Sequence, residues 1–189
     1  MRFWFFIFGI FLLNVGCQDT PHQKLVGPCD SIYYLNENQI IFLNHFPADS
    51  LKMLKQKIRQ DFNTLQNYNN RQSTPFIQGK FDAYFNISDK IESLLTAHQQ
   101  LLVQVNADQK RLFDLKSMLR EKNSKDAAGN PVTLDYLNDI FLHESQHLDS
   151  VQMSVRSQHE EAIRVIQQVQ WLSPLVQKSI EEIQINNPF

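Results

Sequence analysis

Three neighbouring side chains in the C-terminal half of the chain could carry out chemistry together. His143 and His147 lie four positions apart, and Glu144 directly follows the first histidine. On a helix, this spacing brings two imidazoles within reach of one divalent metal ion, and the adjacent carboxylate can activate a metal-bound water. The segment therefore raises the hypothesis of a metal-dependent hydrolase.

The pattern His-Glu-x-x-His resembles the zinc-binding motif of the zincin peptidases. The resemblance implies that His143 and His147 bind zinc and that Glu144 is the general base. A zincin also needs a third protein ligand, and the metzincin form of the motif requires a glycine and a histidine where this chain has Ser150 and Met153. The match to the metzincins is therefore confined to the five residues of the core motif.

The gluzincins take their third ligand, a glutamate, from a later helix. Glu160 and Glu161 belong to the same uninterrupted helical pattern as the histidines, so they cannot fold back to the metal. Glu181 and Glu182, which follow Pro174, are the only later acidic residues that could reach it. Because no third ligand is in place, we predict that the protein is not an enzyme, with a zinc-dependent hydrolase as the alternative.

The heptad pattern gives the same residues a structural role. Glu144 falls at a d position, on the seam that packs against other helices, whereas His147 is at g and His143 is at c. If the two long helices pair as antiparallel neighbours, Glu144 lies level with Arg111 and His147 with Asp108. We predict a buried polar layer formed by Glu144 and Arg111. The alternative is a metal site formed by His143, His147 and Asp108.

The same register predicts a second polar layer, in which Gln158 meets His98. His159 lies beside this level, so the two histidines could bind a metal ion or sense pH, but a hydrogen-bonded core histidine is the favoured interpretation. Trp171, close to the break at Pro174, is expected to be buried rather than to anchor a partner.

The elements that must position these side chains are helices. Apolar residues recur at alternating steps of three and four through residues 134–176 and 81–119, and less regularly through 31–68. Proline interrupts the pattern at Pro47 and Pro174, because it removes a backbone donor and clashes with the preceding turn.

We therefore predict an all-α fold, an elongated antiparallel three-helix bundle with kinks at these two prolines. The longest helix should measure about 60 to 70 Å. A four-helix bundle, in which residues 31–46 fold back as a separate helix, is the alternative. Residues 39–43, Gln-Ile-Ile-Phe-Leu, are the only stretch that could compete as a strand.

The N-terminus differs in kind from the rest of the chain. Arg2 is followed by an unbroken apolar run from Phe3 to Leu13, which is typical of a secretory signal and too short to cross a bilayer. The following residues, Leu-Asn-Val-Gly-Cys, resemble the lipobox of bacterial lipoproteins. The resemblance implies that residues 1–16 are removed and that Cys17 carries the lipid anchor.

A tether is predicted between the anchor and the folded domain. Residues 17–30 hold two prolines and a glycine among few apolar side chains, so we assign the domain itself to residues 31–189. With Cys17 acylated, Cys29 has no disulfide partner. In bacterial lipoproteins, an aspartate directly after the lipidated cysteine favours retention at the inner membrane. This chain has Gln18 at that position, so the resemblance implies that the protein lies at the outer membrane and faces the periplasm.

The composition excludes several functions. The chain has 18 Lys and Arg against 20 Asp and Glu, interspersed without a basic stripe, so nucleic acid is not expected as a partner. It has no glycine-rich phosphate loop, nucleophile elbow or paired-cysteine motif, so we predict no cofactor and no small-molecule substrate. We expect a lipid-anchored envelope protein with an interaction or structural role, whose partners are the membrane and another envelope protein.

Overall fold

The computed structural model describes residues 23–67, 75–121, 125 and 129–186, and these residues confirm the all-α class. Within the described residues, four helices follow one another: α1 (Gln23–Asn44), α2 (Ala48–Asn67), α3 (Pro75–Arg120) and α4 (Leu134–Asn186). The described part of the chain contains no strand, only an isolated antiparallel bridge between Lys125 and Pro131. Residues 39–43, the strand-like stretch, are helical and belong to α1.

The two long helices α3 and α4 run antiparallel and contact each other along much of their length. Leu119 near the end of α3 packs with Leu137 near the start of α4. Further along the pair, Lys90 contacts Glu161. With 53 residues, α4 is about 80 Å long, which exceeds the predicted length.

Local signals explain where α4 begins. Gly129 has a φ of 85°, a left-handed conformation that costs glycine little. Thr133 Oγ1 accepts a hydrogen bond from the backbone N–H of Tyr136 at 3.2 Å, which is the N-cap contact that the first helical turn needs. The connection to α3 therefore ends in a glycine turn followed by a capped helix.

The shorter helices α1 and α2 each pack against both α3 and α4. The core at α2 is one large cluster, which includes Leu51, Ile58, Tyr84, Ile91, Val165 and Val169. The core at α1 is divided into three smaller clusters, which contain Cys29 with Leu115, Ile32 with Leu112, and Leu43 with Val105. Polar residues separate these smaller clusters, and they form the candidate site.

The two proline breaks differ in outcome. Residues 45–47 separate α1 from α2, and the backbone N–H of Leu51 donates to Pro47 O at 3.0 Å, so Pro47 stands where the helical bonding restarts. Pro174 lies inside α4, and the helix continues past it to Asn186. One helix therefore ends before Pro47 and another begins after it, whereas α4 is not interrupted at Pro174.

The second half of the predicted tether is helical. Residues 23–30 form the first turns of α1, and Cys29 is completely buried against Leu115 and Leu137. Pro28 lies inside the helix, although a proline there costs about 3 kcal/mol. The burial of apolar side chains between this segment and helices α3 and α4 offsets this cost. A prediction from neighbouring residues in the sequence does not take this packing into account.

None of the helices in the described residues has a stretch both long and apolar enough to span a bilayer. The predicted signal segment and Cys17 lie outside the described residues.

Candidate functional site: a buried polar layer

Glu144 points into the protein, where it contacts the residue expected from the antiparallel register. Its side chain is buried, and Arg111 Nε donates a hydrogen bond to Glu144 Oε1 at 3.0 Å. The same guanidinium donates through a second nitrogen to Asp108 Oδ1. Asp108 is completely buried, whereas Arg111 is half-exposed. One guanidinium therefore joins two buried carboxylates on facing helices.

The imidazole of His147 provides the second basic group at this level. His147 Nε2 lies 3.2 Å from Asp108 Oδ1. A carboxylate can only accept hydrogen bonds, so Nε2 carries the proton in this contact. Asp108 is thus held by Arg111 on its own helix and by His147 across the interface.

The two histidines of the motif do not share a site. The side chain of His143 is 79% exposed, and its Nδ1 lies 4.0 Å from Glu144 Oε1, whereas His147 turns toward Asp108 on α3. The metal site considered from His143, His147 and Asp108 is therefore not assembled. Among the residues that the structure describes, no three His, Cys, Asp or Glu side chains could hold a metal ion together.

The geometry of Glu144 also differs from that of a zincin base. A general base needs a free carboxylate oxygen that faces the metal-bound water in an open cleft. Here one oxygen accepts a hydrogen bond from Arg111, and the side chain is buried between helices. The sequence match to the zincins is real, but helix packing directs its three side chains to different surroundings.

The polar layer extends onto α1 through two amides. Asn36 is completely buried, and its Nδ2 donates to Val105 O at 3.1 Å and to Gln109 Oε1 at 2.6 Å. Gln39, also buried, donates from Nε2 to Leu148 O at 3.3 Å. Neither residue was predicted from the sequence. The available signal was that they continue the three-and-four spacing of the buried residues of α1.

Acceptor oxygens outnumber donors in this layer. Asn36 Oδ1, Gln39 Oε1, Asp108 Oδ2 and Glu144 Oε2 are buried and have no hydrogen-bond partner within the protein. Buried polar atoms usually have one, because desolvation of an unpaired group costs about 1 to 3 kcal/mol. Such a layer adds little stability, but it penalises any other register of the three helices.

The second predicted layer is arranged differently from the expectation. Gln158 Nε2 donates to Leu94 O at 3.3 Å, one turn before His98 on α3. Gln158 Oε1 and His98 Nδ1 are both buried without a partner, so these atoms do not bond to each other. His98 instead stacks on Phe46, with ring centroids 4.2 Å apart. Burial, and then the positive charge of Lys52, hold the pKa of His98 below its ordinary value of 6.5.

His159 lies close to the same aromatic side chains. Its ring centroid is 4.6 Å from that of Phe42 and 6.3 Å from that of Phe46, and its Nδ1 is buried without a partner. The two histidines therefore lie in an aromatic environment where α1 ends.

A further polar cluster, absent from the sequence analysis, joins α2, α3 and α4. Tyr84 donates from its hydroxyl to Asp61 Oδ2 at 2.7 Å, and Gln177 Nε2 donates to Asp61 Oδ1 at 2.6 Å. Burial, followed by the hydrogen bond to Asp61, raises the pKa of Tyr84. Lys57 Nζ donates to Ser173 Oγ next to Pro174. Ser173 is buried, so this serine and lysine pair does not face an open substrate cleft.

Two surface features could serve recognition. An open groove of about 490 Å³ runs between α3 and α4, and its lining includes Gln100, Gln104, Ser154 and Gln158. Trp171, which the sequence analysis expected to be buried, is 69% exposed. The tryptophan lies on α4 just beyond the seam residue Val169, so the helix directs its ring to solvent.

No known protein family, characterised protein or solved structure shows significant similarity to this chain.

Proposed function

We propose that this protein is a lipid-anchored helical-bundle protein of the bacterial cell envelope, with an interaction or structural role. The observation that carries the proposal is the sequence Leu-Asn-Val-Gly-Cys at residues 13–17, after a short apolar run and a single basic residue. Cys17 is the site of the anchor, and the domain faces the periplasm, at the outer membrane.

The long helices of the domain suit a protein that extends away from its anchor and offers a long surface to a partner. The two long helices, of 46 and 53 residues, are about 70 and 80 Å long. We interpret the arrangement as an elongated three-helix bundle in which α1 and α2, one after the other, take the place of the third helix. From Cys17 to the start of α1 at Gln23, the chain can extend at most about 20 Å, so the domain works close to its membrane.

The α3–α4 groove is the surface that we assign to another envelope protein. Its lining offers amide and hydroxyl groups, including those of Gln100, Gln104 and Ser154, that can form hydrogen bonds with a partner. Such a contact is polar and suits a reversible interaction.

The chain offers a matched pair of variants to test the anchor. It has two cysteines, Cys17 and Cys29, and the second is buried in the core. Cells that produce the full chain are fed a labelled fatty acid, and the protein is recovered and scored for label. Cys17→Ser should abolish the label, and Cys29→Ser should retain it. Label that persists in Cys17→Ser would refute the assignment.

A second substitution tests the location. Gln18→Asp should move the labelled protein from the outer to the inner membrane fraction without changing the amount of label. An unchanged distribution would contradict outer-membrane sorting and leave the anchor in place.

A further inference from the structure

The outer face of α1 is apolar and nearly uncharged, unlike an ordinary solvated helix face. Four of its large side chains are exposed: Tyr34 (63%), Leu35 (45%), Ile41 (55%) and Phe42 (41%). Among the 22 residues of α1 only three are formally charged, whereas α2 has six among 20. Single exposed apolar residues are common, but a cluster without charge is typical of a binding surface.

The four side chains surround one residue. They lie three and four positions before and after Asn38, which is itself exposed. At about 100° per residue, these are the positions that flank Asn38 on the helix surface. We call these five residues the Asn38 patch. The buried residues of α1, which include the polar Asn36 and Gln39, occupy the other side of the helix.

The spacing of the patch is symmetric about its centre. Tyr34 and Phe42 are each four residues from Asn38, and Leu35 and Ile41 are each three residues from it. A second copy of α1, laid antiparallel with a two-fold axis at Asn38, would place Tyr34 against Phe42 of the partner subunit. The same operation would place Leu35 against Ile41 of the partner subunit. An isologous interface requires this reciprocity.

We propose that the Asn38 patch is a homodimer contact, in which two copies of the protein pack their α1 helices antiparallel about Asn38. The two Asn38 amides meet at the axis, where one donates a hydrogen bond and the other accepts it. A polar amide at the centre of an apolar helix contact opposes sliding of one helix along the other, because a slipped register leaves the amide unpaired.

The charge distribution favours a second copy over a lipid surface. A helix that lies on a membrane usually flanks its apolar face with Lys and Arg, and the only basic residue of α1 is Lys24, ten residues before the patch begins. Glu37 is the only charged residue of α1 beyond Asp30, and Asp30 is paired with Lys116. Two identical faces can therefore approach each other with little repulsion between like charges.

The contact is small, so the dimer depends on confinement. The patch consists of five residues and covers about 12 Å of the helix. A stable interface of about 800 Å² per partner usually involves about 20 to 30 residues on each side. A shared membrane raises the effective concentration of the two copies. In this respect the inference rests on the proposed lipid anchor, and the dimer should form at the membrane and dissociate when the protein is diluted.

Crosslinking in intact cells tests the contact in the full chain. Asn38→Cys places a thiol on the proposed axis, and a short bismaleimide should join two copies into a covalent dimer. Val103→Cys is the matched control, because Val103 is also exposed, on α3, and lies outside the patch. It should remain monomeric under the same conditions. The parent chain without a new cysteine shows whether Cys17 reacts by itself.

Removal of the apolar contact should remove the crosslink. In the Asn38→Cys chain, Tyr34→Ser with Ile41→Ser should reduce the dimer at least about tenfold, because two large side chains per subunit leave the interface. Met53→Ser, at an exposed position of α2, should leave the yield unchanged. All three substituted side chains are exposed, so the fold is retained, as circular dichroism can verify.

Two outcomes would overturn the homodimer. One is an Asn38→Cys crosslink no stronger than that of Val103→Cys. The other is a crosslink that Tyr34→Ser with Ile41→Ser leaves unchanged. A parent chain that crosslinks through Cys17 would instead show a free thiol at that position, which contradicts the lipid anchor and not the dimer.

Discussion

Replacement of Arg111 by alanine should destabilise the protein far more than loss of an ordinary surface charge. The substitution leaves Glu144 and Asp108, both buried, without their shared guanidinium. Breaking a buried ion pair on one side typically costs about 3 to 5 kcal/mol. Because half of the Arg111 side chain is exposed, water can reach part of the site, and we expect Arg111→Ala to lower the free energy of unfolding by about 2 to 3 kcal/mol.

Removal of the acidic partner should have a different effect. Glu144→Leu takes a buried carboxylate out of the core and leaves Arg111 paired with Asp108, so the free energy of unfolding should change by less than about 1 kcal/mol. In the Arg111→Ala background, Glu144→Leu should restore about 1 to 2 kcal/mol, because the uncompensated carboxylate is gone. The two substitutions are therefore coupled, and their effects do not add.

Urea unfolding followed by far-UV circular dichroism measures these differences. Arg164→Ala is the control, because Arg164 also contacts two acidic side chains, Glu160 and Glu161, but at the surface. It should cost less than about 0.5 kcal/mol. The reasoning would be refuted if Arg111→Ala cost no more than Arg164→Ala, or if Glu144→Leu were as harmful as Arg111→Ala.

Three further predictions follow from the other polar groups. The pKa of His98 is lower in the folded than in the unfolded chain. Its contribution to stability is therefore complete above about pH 6.5 and is lost as the pH falls from there toward the lower pKa of the folded state. His98→Phe should flatten the pH dependence of the unfolding free energy between about pH 7 and 5. Tyr84→Phe should cost about 1 to 2 kcal/mol in urea unfolding, because buried Asp61 loses a donor. A chelator should leave the melting temperature of the untagged protein unchanged, because the two motif histidines do not share a metal site. Zinc bound at one ion per chain, and lost in His143→Ala, would contradict this prediction.

The antiparallel register of the long helices was predictable because their heptads are regular. Once the seam positions are known, residues 108, 111, 144 and 147 fall at one level, and the structure brings together the side chains at that level. The surroundings of Gln158 and His98 were not predictable in the same way, and the expected contact between them is not formed. Level positions define which side chains are near. Gln158, however, donates its amide hydrogen to a backbone carbonyl, and His98 stacks on Phe46, in the connection between α1 and α2.

The structure of α1 was the least predictable part of the fold. Asn36 and Gln39 place polar side chains on the buried side, while Tyr34 and Ile41 place apolar side chains on the exposed side. A search for one apolar stripe finds neither face clearly, because the two patterns overlap. Pro28 obscures the helix start as well. Only the packing of α1 on α3 and α4 distinguishes its two faces, and that information is not local.

The difference between local spacing and helix packing also explains why a metal-binding pattern can occur in a helical seam. Residues i, i+1 and i+4 of a helix are also the c, d and g positions of a heptad, and the d position faces the core. In a zincin the three side chains share one cleft. Here packing directs Glu144 inward to Arg111, leaves His147 at the interface with α3, and exposes His143. The spacing is the same in both cases, so the role of the motif depends on what the glutamate contacts: a metal-bound water in a zincin, and the guanidinium of Arg111 in this protein.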